Sequence, residues 1–141
     1  MAEKKSKVCV VTSCGNKKEQ IAMPAWKIYK SSRIKAVYNR RKEHDMYILS
    51  AQHALIPADK VIEPYNRVMD EKRCQELIPQ LKPILKQYDA VVFFKAGARK
   101  LYEQCIRTAC EQENVKLISF GNGFMGGIND LEKKLRDAEN V

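Results

Sequence analysis

Residues 47–69 read YILSAQHALIPADKVIEPYNRVM, and the break inside this stretch decides how the chain is divided. Tyr47, Ile48 and Leu49 suit a buried strand, because aromatic and branched residues fill a pleated surface. Ser50, Gln52 and His53 follow at its end, and Pro57, Asp59, Pro64 and Tyr65 are expected to hold the chain off helix and sheet. A strand that empties into a polar, rigid loop is the pattern of an open α/β sheet, where ligands bind outside the carboxyl ends of the strands.

The flanking sequence repeats that alternation. Residues 7–13 (KVCVVTS) read as a buried strand followed by a turn at Cys14, Gly15, Asn16, Lys17 and Lys18. A helix is expected from Pro24 to Arg41, with Pro24 in its first turn and Trp26, Ile28, Tyr29, Ile34, Val37 and Tyr38 as the apolar stripe. The second strand is Met46–Ala51, and a helix over Asp70–Gln87 carries Pro79 and Pro83, which predict a kink or a break. Ala90–Lys95 reads as a third strand buried on both faces, and a helix from Gly97 to Glu113 follows it. Val115–Phe120 is the fourth strand; a glycine-rich loop (Gly121, Gly123, Gly126, Gly127) then leads to a closing helix, Ile128–Glu139. Strands alternating with helices imply a three-layer α/β/α sandwich, Rossmann-like, with a mainly parallel sheet of about four strands. The loops at Cys14, Ser50, Ala96 and Gly121 should then share one edge.

At 141 residues, 45% hydrophobic and 30% charged, the chain fits one α/β domain over residues 7–141 behind a flexible basic tail at 1–6. No apolar run approaches the ~20 residues of a membrane span, and the start MAEKKSK lacks the apolar core of a signal peptide, so a cytoplasmic protein without a membrane partner is expected. Five cysteines with no CxxC pair argue against a disulfide framework and a zinc site. Asp59, Glu63 and Asp70 are spread along a loop rather than set at metal-ligand spacing, so no metal and no cofactor is expected. The net charge of +9 favours phosphate-bearing partners. Arg40, Arg41 and Lys42 form its densest cluster, although cations at a helix carboxyl end would look the same.

Cys14-Gly15-x-x-Lys18, Pro24-Ala25, Tyr29, the block Ile48-Leu49-Ser50-Ala51-x-His53-x-Leu55-x-Pro57 and Pro64-Tyr65 together resemble a family of domains of unknown function. These are similar to the YaaA-like peroxide-stress proteins and, more distantly, to the central domain of archaeosine synthase. Gly97 with Tyr102 and the segment from Gly123 to Leu131 fit the family's later landmarks. The resemblance implies action on or near nucleic acids and a fold akin to uracil-DNA glycosylases, a fold-level analogy. The family pattern has Gly where this chain has Ala54, which puts a positive φ there in doubt.

Each candidate residue has a chemical and a plainer reading. Cys14, beside Lys17 and Lys18, suits a nucleophile or a pocket contact; otherwise it is a small residue at a tight turn. Gly15, Lys17 and Lys18 suit a phosphate cradle, or an ordinary turn with solvated lysines. His53 suits an acid or base, with Ser50 and Gln52 orienting a substrate, whereas one loop rarely supplies a whole Ser50, His53 and Asp59 triad. Tyr65 with Asn66 and Arg67 offers a stacking platform or a core anchor. Gly123 bares backbone for a ligand or merely admits the last helix.

Two functions follow. One is an enzyme acting on a nucleobase, nucleoside or nucleotide, with Cys14, Ser50 and His53 catalytic, and the resemblance makes an N-glycosidic bond its favoured target. The other is a non-catalytic nucleic-acid-binding module, for DNA or RNA, that uses Lys17, Lys18, Arg40, Arg41 and Lys42.

Overall fold

A computed structural model describes residues 6–14, 18–123 and 125–140. Most of the expected basic tail, together with Gly15, Asn16, Lys17 and Phe124, lies outside the described residues. Four strands run parallel: β1 (Val8–Ser13), β3 (Asp45–Ser50), β6 (Ala90–Phe94) and β7 (Lys116–Phe120). The sheet has a fifth strand. β4 (Ala54–Pro57) pairs antiparallel with β3, giving the order β4-β3-β1-β6-β7. The expectation that the chain stays off the sheet through Pro57 is therefore corrected. A turn at residues 51–53 brings Ala54 opposite Ser50, and Pro57 is tolerated because it closes an edge strand.

A short pair, β2 (Met23–Pro24) with β5 (Val61–Ile62), ties the loop after β4 back to the segment before the first helix. That helix is split. α1 (Ala25–Ile28) ends where Tyr29 turns extended, and α2 (Ser32–Arg40) restarts at Ser31, whose hydroxyl accepts the Ile34 N–H at 3.3 Å. A serine that caps the backbone competes with continuing the helix, and Tyr29 makes a bridge to Lys18 instead.

Helix α3 (Glu71–Leu85) runs unbroken through both prolines. Pro79 and Pro83 are exposed and four residues apart, so the carbonyls they leave unbonded face water. α4 (Lys100–Gln112) and α5 (Leu131–Glu139, after a 3₁₀ turn at Ile128–Asp130) complete the chain. α3 and α4 pack on one sheet face over Cys9, Val11, Leu49, Val91 and Phe93. α1, α2 and α5 cover the other face, over Val10, Ile48, Val92 and Phe94. The result is the Rossmann-like α/β/α sandwich. Alternate strand residues enter opposite cores, which explains the apolar runs at residues 8–11 of β1 and throughout β6.

The chain steps from β1 to β3 on one side and later crosses to β6 on the other side of β1. The crevice beyond the carboxyl ends of β1 and β6 is thus the topological switch point, where open α/β sheets bind ligands. Cys14 leaves β1 there, with its N–H donated to Leu49 O at 2.9 Å.

Candidate functional site

Three hydroxyls form a chain beside this crevice. Ser50, fully buried at the end of β3, accepts the N–H of Gln52 and of His53, both at 3.1 Å. Those two bonds occupy the acceptor capacity of its oxygen, so its own proton goes to Tyr65 Oη, 2.7 Å away. The Tyr65 and Tyr29 hydroxyls share a hydrogen bond at 2.5 Å. Tyr29 is fully buried, with the Tyr65 and Ser50 hydroxyls as its hydrogen-bonding neighbours. Burial raises the Tyr29 and Tyr65 pKa values, with the nearby Cys14 as the second cause for each, so both stay protonated donors.

His53 is exposed and sets its ring edge-on to Tyr65, with centroids 5.1 Å apart. Partial burial, then the cations Lys60 and Arg73, push its pKa below 6.5, which leaves the imidazole neutral at pH 7. Arg73 on α3 holds the turn between them: Nε donates to Ala51 O at 2.6 Å and Nη2 to Gln52 O at 2.9 Å. The Gln52 side chain is exposed.

Cys14 is half-buried on the other side of the hydroxyl chain, with Sγ 3.2 Å from Tyr102 Oη. It is an electrostatic neighbour of Tyr29, Arg33, Tyr65 and Tyr102 at once. Burial and then Cys14 raise the Tyr102 pKa. Arg33, buried on α2, donates from Nη1 to Ser13 Oγ at 2.8 Å and Thr12 Oγ1 at 3.2 Å. One thiol, three tyrosine hydroxyls and one guanidinium therefore gather at the switch point.

Lys18 stands over the Tyr65 ring, 4.4 Å from its centroid, and lines an open cleft of about 660 Å³ with Tyr65, Asn66, Pro64 and Glu19. Arg67 points instead to Glu76 at 3.8 Å. Gly123 belongs to a neighbouring cleft of about 570 Å³ with Gly97, Arg99 and Lys100, and its carbonyl accepts the Gly97 N–H at 2.7 Å. At Gly121 a Cβ would meet Phe94 Cε1 at 2.9 Å, and φ is +107°, so glycine is required where β7 opens into that cleft.

Other candidates lie elsewhere. Arg40, Arg41 and Lys42 end α2, at the sheet edge opposite the crevice. Arg40 and Arg41 donate to Ala36 O and Tyr38 O, and Lys42 pairs with Glu132 at 3.6 Å. Asp59 is also at that edge, where it accepts the Tyr38 hydroxyl at 2.6 Å. It does not join Ser50 and His53. Among the described residues no group of three or more His, Cys, Asp or Glu is placed to hold a metal ion, and no helix is long and apolar enough to cross a membrane.

The model of DUF6884, a family of unknown function, matches residues 8–125. The chain belongs to that family. No curated protein and no solved structure matches it. The span matched to DUF6884 begins with β1 and contains every member of the crevice cluster.

Within this DUF6884 domain, Arg33 and Arg73 are not among the residues that the sequence singles out, and Tyr29 stands out there only as apolar stripe and landmark, Tyr102 only as a landmark. Arg33 carried a usable signal. It lies four residues before Val37 and next to Ile34, on the apolar stripe of α2, where a solvated arginine has no place.

Proposed function

We propose that this domain is a small enzyme acting on a nucleobase, nucleoside or nucleotide, with the ligand seated at the carboxyl ends of β1, β3 and β6. The observation that carries the reading is the cluster at the switch point, where Cys14 bonds Tyr102, Arg33 bonds the adjacent Ser13, and the Ser50, Tyr65 and Tyr29 hydroxyls form one hydrogen-bonded chain. Buried hydroxyls kept protonated are preorganised donors for the oxygens and nitrogens of a base and sugar. Cys14 is the candidate nucleophile, and His53, neutral at pH 7, the candidate acid–base group at the rim. Ser50 serves by fixing Tyr65 and the turn that carries His53. The likeness to YaaA-like proteins and archaeosine synthase makes an N-glycosidic bond the favoured target, by analogy.

The net charge of +9 supports a second reading, a nucleic-acid-binding module. A thermal-shift screen against nucleobases, nucleosides, nucleotides and short oligonucleotides at two salt concentrations separates the two. A salt-resistant shift from a small ligand, lost in Cys14→Ser and His53→Asn, is expected. A shift confined to oligonucleotides and erased by salt would retire the enzyme in favour of the module.

A further inference from the structure

Arg33 is a buried cation without a buried anion. Its relative exposure is 5%, and its partners are the neutral hydroxyls of Ser13 and Thr12. Among the described residues no carboxylate pairs with it. Burial pulls its pKa down, and the groups that oppose this are Cys14 and Tyr102 rather than an acid. An uncompensated buried charge is among the costlier features a fold can carry, and removing such a charge altogether is often neutral or stabilising.

Both hydroxyl contacts use Nη1. The edge formed by Nε and Nη2 has no partner among the described residues. Since no fully buried side-chain nitrogen there lacks a partner, that edge retains access to the surface. Two parallel N–H groups on one guanidinium edge are the fork that grips two oxygens of a phosphate or carboxylate. Lys18, placed over the rings of Tyr29 and Tyr65, adds a second cation on the same hydroxyl cluster. Two cations beside three protonated tyrosines suit a phosphate monoester, which carries about −1.5 to −2 charges at pH 7.

We propose that Arg33 anchors the phosphate group of the ligand, so that the domain takes a phosphorylated nucleoside rather than a free base or nucleoside. The inference rests on the nucleobase reading for the rest of the ligand, but the phosphate site is testable without it. The probes are inorganic phosphate, guanosine and guanosine 5′-monophosphate, read by calorimetry and thermal shift on wild type, Arg33→Met and Arg33→Lys.

Wild type should bind the monophosphate at least about tenfold more tightly than the nucleoside, the scale of one charge-assisted hydrogen-bonded pair. Arg33→Met should lose that margin and the shift given by inorganic phosphate, while its ligand-free melting temperature stays level or rises. Arg33→Lys keeps the charge but not the fork and should lose part of the margin. Phosphate protection of wild type alone, with no response to guanosine or its monophosphate, would uphold the anion site and undo the nucleobase reading. Equal binding of nucleoside and monophosphate would do the reverse. A destabilised Arg33→Met beside an Arg33→Lys that binds the monophosphate as wild type does would make Arg33 structural and overturn the proposal.

Discussion

The Ser50 hydroxyl donates to the Tyr65 hydroxyl at 2.7 Å while accepting two backbone N–H groups of its own turn. One side chain thereby fixes both the hairpin turn and the tyrosine that borders the crevice. Ser50→Ala and Tyr65→Phe should each cost about 1–3 kcal/mol, the penalty for stranding buried hydrogen-bonding groups. Because they share one network, the double variant should cost less than the sum of the two. Urea titrations of the four proteins measure this, and simple additivity would show that the two hydroxyls are not coupled.

His53 sets an acid limit on stability. Its folded pKa lies below the ordinary 6.5, so near and below that pH the folded chain binds fewer protons than the unfolded one. Its contribution is full above the unfolded value and is lost as pH falls through the folded value. Unfolding midpoints taken from about pH 7.5 down to about pH 5 should decline in wild type and decline less in His53→Asn. If turnover uses the neutral imidazole, its rate should fall over the same side. A wild-type midpoint no more pH-sensitive than that of His53→Asn would remove His53 from this role.

Ala54 adopts φ +63°, the left-handed conformation usually left to glycine. The positive φ that the alanine put in doubt is kept, at a cost of roughly 1–2 kcal/mol. Ala54→Gly relieves that strain but loosens the unfolded chain by a similar amount, so the two should agree in stability to within about 1 kcal/mol. Ala54→Val places a branched side chain at the same φ in a position only 4% exposed and should cost about 2 kcal/mol or more. Chemical denaturation of the three chains decides; an unaffected Val variant would mean that this turn relaxes to negative φ.

The parts of the fold legible in sequence are those fixed by local pattern. Val8–Ser13 and Ala90–Phe94 are fully buried strands, the first apolar over residues 8–11 and the second throughout, and α4 shows its inward face at regular spacing. Ala54–Pro57 was not legible, because a four-residue edge strand ending in proline exists only through its turn and its partner β3. The same limit applies to the site. Cys14, Ser50, His53 and Tyr65 stand out at loop positions, but Tyr29 reads as helix stripe and Arg33 as one more base in SSRIKAVYNRRK. The one local mark on Arg33 is its place on the apolar stripe of α2; the role of both comes from the tertiary meeting of α1 and α2 with the end of β1, which no window along the chain contains.

Arg40, Arg41 and Lys42 test how much the basic charge matters. They sit at the far edge of the sheet, where Arg41 stacks 3.6 Å above the Tyr38 ring and Lys42 is paired with Glu132. Substituting glutamine at all three should leave small-ligand thermal shifts unchanged, since no member touches the crevice. If the chain binds duplex DNA through this cluster, the same variant should flatten the salt dependence of binding, by at most about 2–3 in the log–log slope for three lost phosphate contacts. Calorimetry with the small ligand and fluorescence anisotropy with an oligonucleotide give both readings on one pair of proteins. Loss of small-ligand binding in the triple variant would mean that the cluster and the crevice act together, contrary to their placement at opposite ends of the strands.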